Sequence, residues 1–153
     1  MDTIKNCCFY LILGSITSWF CWVVESDFLS TFLHAQIITI CITLVAITSA
    51  VRGIVLGKLV ELGALHNELD FQPTFKELKI SIYEQVTMII IAILSLIIYA
   101  SKQLPPNYQF VIRIAIDSIL TGILYFNIYI LCDTGIAVID IFKAIHQKDK
   151  MDK

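Results

Sequence analysis

Charged residues are scarce in this chain. Only 16% of its 153 residues are Asp, Glu, Lys or Arg, whereas 58% are hydrophobic, and the mean hydropathy is +0.80. A soluble domain of this length needs far more polar surface than these residues provide. The net charge of −2 offers no basic surface to a nucleic acid, so we expect no nucleic-acid partner.

The motifs of common enzymes and metal sites are also missing from the sequence. It contains no HExxH, no phosphate-binding loop and no GxGxxG, and no CxxC or Cys/His spacing indicates zinc. The five cysteines lie mostly in apolar runs, where we interpret them as small hydrophobic residues. No histidine has a spacing that joins it to a cysteine or serine nucleophile. We therefore predict a protein that is not an enzyme and carries no metal or other cofactor.

Proline and glycine are few, at 3 and 6 residues, so long apolar runs continue with little interruption. A membrane-spanning helix needs about 20 predominantly apolar residues. Four runs meet that length, and the fold class predicted from them is all-α integral membrane, in a single polytopic domain. The predicted spans cover residues 4–24, 28–51, 84–102 and 110–137.

Helices two, three and four are predicted to extend beyond the membrane. Helix two continues to about 66–70, and Thr74 with Glu77 forms a capping box that predicts the start of helix three. Pro105 and Pro106 stand where the start of helix four tolerates proline. Residues 52–83 and 138–153 would then form a small cytoplasmic helical cap. Its apolar contacts are expected between Leu59, Leu62, Leu65 and Leu69, facing Phe75, Leu78 and Ile82, with Ile141, Phe142 and Ile145 packed onto them.

Lysine and arginine are distributed unevenly about the predicted spans. Nine lie near the N-terminus, between helices two and three or in the tail, and two lie near the third loop. Because cytoplasmic segments carry the excess of positive charge, both termini are expected in the cytoplasm. Lysine outnumbers arginine nine to two and isoleucine is abundant, which is typical of AT-rich bacterial genomes. We therefore predict a multi-pass protein of the bacterial inner membrane, with the lipid bilayer as its first partner.

Small and weakly polar residues share one side of helix two. In lipid, such residues let helices approach closely, and close packing then holds the helices together. This face has two interpretations: ordinary packing inside the subunit, or an interface between subunits. Its members are Thr39, Thr43, Ala46, Ala50, Gly53 and Gly57.

Polar residues also interrupt helices three and four. Arg113 and Asp117 are one turn apart and could pair, and Asn127 is expected to bond across helices. Asp133 lies about 30 Å along the helix from Arg113, so the two should bracket the hydrocarbon. Each polar group has two interpretations. It is either structural, which for Asp133 and Asp140 means a solvated rim at the inner membrane surface, or part of an ion path. The candidates for pore or gating roles are Glu84, Arg113, Asp117, Asn127, Asp133 and Asp140.

Two polar faces and a stripe of small residues exceed what four helices can bury alone. We therefore expect a symmetric homo-oligomer, with a tetramer as the working number, around an axis lined by helix three or four. Rings of aspartate at its cytoplasmic mouth would favour cations, which predicts an ion channel or pore gated through the cap by a cytosolic protein or ligand. The alternatives are a membrane sensor or anchor that recruits a cytosolic effector, and an immunity protein or holin.

A short chain with four spans and a modest cytoplasmic helical cap resembles the small membrane subunits of bacterial anti-phage defence systems such as Kiwa and Hailong. The resemblance covers the whole chain in architecture and assigns no role to any residue. It implies either a pore whose opening depolarises the cell or a membrane sensor that holds a cytoplasmic effector.

Overall fold

The computed structural model describes residues 2–65, 72–101 and 109–151, and these residues form four α-helices. In each helix a stretch of 19 to 31 residues is long and apolar enough to cross a membrane. The predicted fold class is confirmed to this extent. The helices are α1 (Asp2–Val23), α2 (Phe28–Leu65), α3 (Gln72–Ala100) and α4 (Gln109–Met151).

The helix boundaries agree with the sequence pattern at most points and differ at one. α3 begins at Gln72, two residues before Thr74, so the predicted capping residue already lies inside the helix. Pro73 then falls in the first turn, where its missing N–H has no helical acceptor to lose. The predicted start of helix four at Pro105 and Pro106 lies outside the described residues.

The helical continuation predicted for helices two and four is confirmed as far as Leu65 and Met151. The side-chain contacts predicted between these helical continuations are not tested. The leucines and isoleucines expected to build the cap on α2 and α4, with Phe142 and Asp140, lie outside the residues whose side chains are described. On α3, Phe75 and Ile82 are exposed. The packed cap therefore stays a prediction.

α4 is the central helix of the bundle. It contacts each of the other three, and 50% of its most apolar window is buried, against 11% for α1. α1 lies antiparallel along one side of α4, and α2 and α3 pack on the other side. The buried core between these last three helices consists of Leu33, Ile37, Cys41, Ala92, Ile116, Leu120 and Ile123.

A tight turn joins α1 to α2 and marks one end of the bundle, called here the α1–α2 end; the opposite end is the α2–α3 end. Glu25 adopts the left-handed conformation with φ of 55°. The backbone N–H of Ser26 donates to the Cys21 carbonyl (2.9 Å), and that of Glu25 donates to the Trp22 carbonyl (3.1 Å). These two bonds close the end of α1 as a Schellman motif, which usually places glycine at the left-handed position.

The crossing of α1 over α4 is held at backbone contact by two glycines. A Cβ added at Gly14 would lie 2.5 Å from the Ser118 carbonyl oxygen and 2.6 Å from the Gly122 nitrogen. Both neighbours are backbone atoms and cannot rotate away. Such close backbone packing is suited to helices in lipid, which supplies no hydrophobic drive between them.

Replacing Gly14 with alanine should therefore loosen the bundle. We expect Gly14→Ala to lower the free energy of unfolding by about 1–3 kcal/mol, since the added methyl group must push the two backbones apart. Gly135→Ala is the matched control, because no atom lies within 4 Å of a Cβ added there and alanine favours a helix. Thermal unfolding in mild detergent measures both variants, and equal midpoints would contradict the proposed crossing.

Candidate functional sites at the two ends of the bundle

At the α1–α2 end, Asp117 of α4 is held by two side chains of α2. Ser30 Oγ donates to Asp117 Oδ1 (3.2 Å), and His34 Nε2 lies 2.7 Å from the same oxygen. The ring of Tyr99 meets the His34 ring edge to face, with centroids 4.0 Å apart. Three helices thus converge on one carboxylate. The sequence pattern singled out Asp117 and assigned no role to His34, whose side chain is largely buried.

The expected ion pair between Arg113 and Asp117 does not form. Arg113 Nη2 instead donates to Asp27 Oδ1 (3.2 Å) in the α1–α2 turn. The spacing of four residues places both side chains on one side of α4, but Asp117 turns toward α2 while Arg113 reaches toward the turn. Both members of the Arg113–Asp27 pair are well exposed, so the pair adds little stability.

A cavity of about 220 Å³ opens between α1, α2 and α4 at this end. Its polar lining includes Asp117, both members of the exposed ion pair, and the hydroxyl groups of Ser18 and Thr121. Trp22 and Phe110 form part of its wall, with ring centroids 6.2 Å apart. The cavity is therefore polar on one side and aromatic on the other.

Midway along α4, Asn127 is completely buried. Its Nδ2 donates to the Ile123 carbonyl (2.9 Å) and lies 3.8 Å from Cys41 Sγ of α2. The expected bond across helices is thus present as a long contact to sulfur. Oδ1 has no partner among the described residues. An unsatisfied acceptor inside the bundle is costly in an apolar setting, which makes Asn127 a functional candidate.

At the α2–α3 end the structure reveals a polar cluster that the sequence pattern did not predict. Arg52 is only 3% exposed; its Nη2 donates to Ser81 Oγ (2.6 Å) and its Nη1 to Gln85 Oε1 (3.3 Å). Thr48 donates to the same Gln85 oxygen (3.1 Å). Arg52 was counted only as a positive charge of the cytoplasmic connection. The sequence signal for this cluster is two pairs of polar residues, each pair one turn apart: Thr48 and Arg52 on α2, and Ser81 and Gln85 on the antiparallel α3.

Three carboxylates surround this cluster. Glu77 and Asp133 line a groove with Arg52, and the same two line a second groove with Glu84 and Tyr129. Glu84 and Asp133 also act electrostatically on the Arg52 guanidinium. Counted as formal charges, three carboxylates outweigh one guanidinium. The two grooves therefore have a net negative lining, and the exposed Lys58, Lys76 and Lys79 at the same end of the bundle line neither of them.

The stripe of small residues on α2 faces away from the rest of the subunit. All six of its members are exposed, and no atom lies within 4 Å of a Cβ added at Gly53 or Gly57. Within the part of the chain that the structure describes, packing inside the subunit does not use this face. The exposed residues are Thr39, Thr43, Ala46, Ala50, Gly53 and Gly57.

Across residues 2–65, 72–101 and 109–151, no group of three or more His, Cys, Asp and Glu side chains is arranged to hold a metal ion. Comparison with family models, with curated proteins and with solved structures finds no match for this chain. A function must therefore be inferred from the polar groups at the two ends of the bundle and from the buried Asn127 between them.

Proposed function

We propose that this protein is a non-enzymatic, self-associating membrane protein that conducts cations along a path within each subunit. The observation that carries the proposal is the position of its ionisable groups. Asp117 at one end, and Arg52, Glu84 and Asp133 at the other, fall inside the stretches able to cross a membrane. Ionisable residues in such stretches are costly and commonly mark ion pathways.

The polar groups of α4 are spaced along the membrane normal. At 1.5 Å of rise per residue, Asp117 lies about 12 Å along the helix from Gln109, Asn127 about 27 Å and Asp133 about 36 Å. Asp117 and Asp133 are thus about 24 Å apart along the helix, so each would lie a few ångströms inside one surface of a hydrocarbon layer about 30 Å thick. Asn127 offers an unpartnered acceptor oxygen between them.

The path is placed inside the subunit because of where the polar side chains point. An oligomer axis lined by α4 would need its polar residues outside, yet Thr121 and Asn127 are buried. The outward face of α3 is rich in large apolar side chains, including Ile90, Leu94 and Ile97. We therefore move the proposed path from the oligomer axis to the seam between α2, α3 and α4.

An apolar layer closes this seam. Ile37 and Leu120 are fully buried between the levels of Asp117 and Asn127, and Leu33 is fully buried at the level of Asp117. A constriction lined by such side chains excludes water and thereby ions, and it opens when its walls separate or become polar. The described structure corresponds to the closed state in this proposal.

Making this layer polar should open the path. We expect Leu120→Ser to raise potassium flux into proteoliposomes severalfold, because a hydroxyl group lets water enter the constriction. Leu94→Ser is the matched control, since Leu94 is exposed on the outside of α3. Flux is followed by a potassium-driven change in membrane potential. No flux from Leu120→Ser, in protein that keeps its helical content, would rule out the path.

The acidic lining of the α2–α3 end supports cations as the conducted species. Within the two grooves, three carboxylates against one guanidinium attract cations and repel anions. Asp133 is exposed, so its charge acts on the entering ion while remaining hydrated.

Removing one of these charges should weaken cation preference. In the Leu120→Ser background, Asp133→Asn should lower the potassium-to-chloride permeability ratio about twofold to fivefold, the effect of losing one partly screened charge. Glu84→Gln should act in the same direction. The control is Glu25→Gln, which removes an exposed carboxylate at the other end of the bundle. Reversal potentials in a salt gradient give the ratio; equal ratios in all variants would contradict the acidic mouth.

Self-association is supported by the exposed stripe of small residues on α2. A smooth helix face within a stretch able to cross a membrane is suited to close contact with a second helix. Within the described residues no other helix covers it. We propose that two copies of the chain meet at this face in a homo-oligomer, with a tetramer as the number to test.

Filling this stripe with bulk should separate the subunits. We expect Ala46→Leu with Ala50→Leu to shift the oligomer toward monomer, since the added side chains hold two helices apart. Ala115→Leu makes the same change on an exposed part of α4 and should leave the assembly unchanged. Native mass spectrometry in mild detergent reads the stoichiometry. A wild-type protein that is monomeric, or a double variant that assembles like the wild type, would contradict the interface.

The proposed setting is a bacterial inner membrane with the α2–α3 end in the cytoplasm, as the lysine distribution favours. Opening of such a path would depolarise the cell, which is compatible with an anti-phage role. α2 and α4 continue as helices beyond their apolar stretches, to Leu65 and Met151, and could receive a gating partner there.

The same helical extensions favour a second candidate function, a membrane anchor that holds a cytosolic effector. The two functions differ in one measurable property. An anchor has no need of the polar groups buried across the seam, so Leu120→Ser would leave proteoliposomes impermeable while the extensions still bound their partner.

A further inference from the structure

The cavity at the α1–α2 end contains a carboxylate that is fixed in place but only partly used. Asp117 receives Ser30 and His34 on the same oxygen, Oδ1. An ionised carboxylate only accepts hydrogen bonds, so the His34 Nε2–H donates. Oδ2 receives neither of these bonds, and Asp117 lines the cavity. It is therefore available to a donor that enters from outside.

A second polar group that lines the same cavity has no hydrogen-bond partner among the described residues. Ser18 is 7% exposed, and its Oγ forms no hydrogen bond with any described residue. Its neighbours on α1 behave differently: Ser15 and Thr17 each donate to a carbonyl four residues earlier, at 2.9 and 3.0 Å. Ser18 could make the equivalent bond within its helix but does not. A buried hydroxyl left without a partner is rare unless something else binds it.

The charge of the lining selects the kind of molecule. Asp27 and Arg113 form an ion pair with each other, so their charges offset. Asp117 then remains as the unbalanced formal negative charge among the described residues that line the cavity. An anion would meet this carboxylate, whereas a cation that carries N–H groups could donate to both Asp117 and Ser18.

The size and the aromatic wall of the cavity point to an organic cation. A volume of about 220 Å³ exceeds what a metal ion or a single water needs, since one water occupies about 30 Å³ of liquid. Trp22 and Phe110 offer ring faces and edges at its wall. Such rings bind apolar groups and also attract a cation.

We propose that this cavity binds a small organic ammonium cation. Its ammonium group donates to Asp117 Oδ2 and, once the buried Ser18 side chain turns toward the cavity, to Ser18 Oγ; its apolar part lies against Trp22 and Phe110. Binding of the cation requires the folded bundle but no ion conduction. The binding proposal can therefore be tested independently of the proposed ion path.

Phenethylammonium, which joins an ammonium group to one phenyl ring, is the probe that tests this site. Its binding to the full chain in lipid nanodiscs is measured by calorimetry and, in a Trp19→Phe variant, by the fluorescence of Trp22, with empty nanodiscs as the blank. We expect saturable binding of the cation and none of the neutral analogue 2-phenylethanol. Equal binding of the two molecules, or no binding above the blank, would overturn the proposal.

Variants locate the contact. Asp117→Asn should weaken phenethylammonium binding about tenfold or more, and Ser18→Ala about threefold, in line with a charged and a neutral hydrogen bond. Glu25→Gln loses a carboxylate at the same end that does not line the cavity, and its affinity should equal that of the wild type. Ser18→Ala keeps the test decisive if Asp117→Asn does not fold. Unchanged affinity in Ser18→Ala would place the cation elsewhere and refute the site.

Discussion

Polar groups between membrane-crossing helices must find their partners within the protein, because the surrounding lipid offers none. In this bundle, α4 provides hydrogen-bond partners for polar side chains of other helices. α1 reaches it through Asn6 and Tyr129, and α2 reaches it through His34 and Asp117. Together with the glycine contact between α1 and α4, these bonds are of the kind that holds helices together in lipid, where a hydrophobic drive is missing. The centrality of α4 thus follows from its polar residues as much as from its length.

The helices are arranged asymmetrically about α4. α1 lies against α4, while α2 and α3 share the other side of α4 and leave their outer faces free. On α2 that outer face carries a stripe of small, weakly polar residues, with the exposed side chains of Ile42, Ile47 and Ile54 beside it. A single subunit pairs several of its buried polar groups by itself but leaves four buried polar atoms without a partner among the described residues. It also presents a surface suited to close helix contact. This surface connects the fold to the proposed assembly.

The two ends of the bundle differ in electrostatic character. At the α1–α2 end, Asp27 is offset by Arg113 and Asp117 is braced by His34. At the α2–α3 end, the buried guanidinium of Arg52 is held by neutral oxygens while three carboxylates surround it. A buried charge with neutral partners depends on nearby opposite charges to offset its desolvation. The acidic lining thus has a structural role at Arg52 in addition to its proposed effect on entering cations.

Hydropathy, length and spacing were enough to predict four apolar helices, their approximate boundaries and several of the polar residues that matter, including Asp117 and Asn127. These features are properties of one helix at a time, since period and composition act locally. Which helix covers which face is not local. Arg113 and Asp117 share a side of α4, but their partners come from elements 83 to 87 residues away, so the chain alone could not exclude a pair between them. Only the tertiary packing buried Arg52, exposed the stripe on α2 and left Ser18 without a partner, because burial and pairing depend on which helices meet.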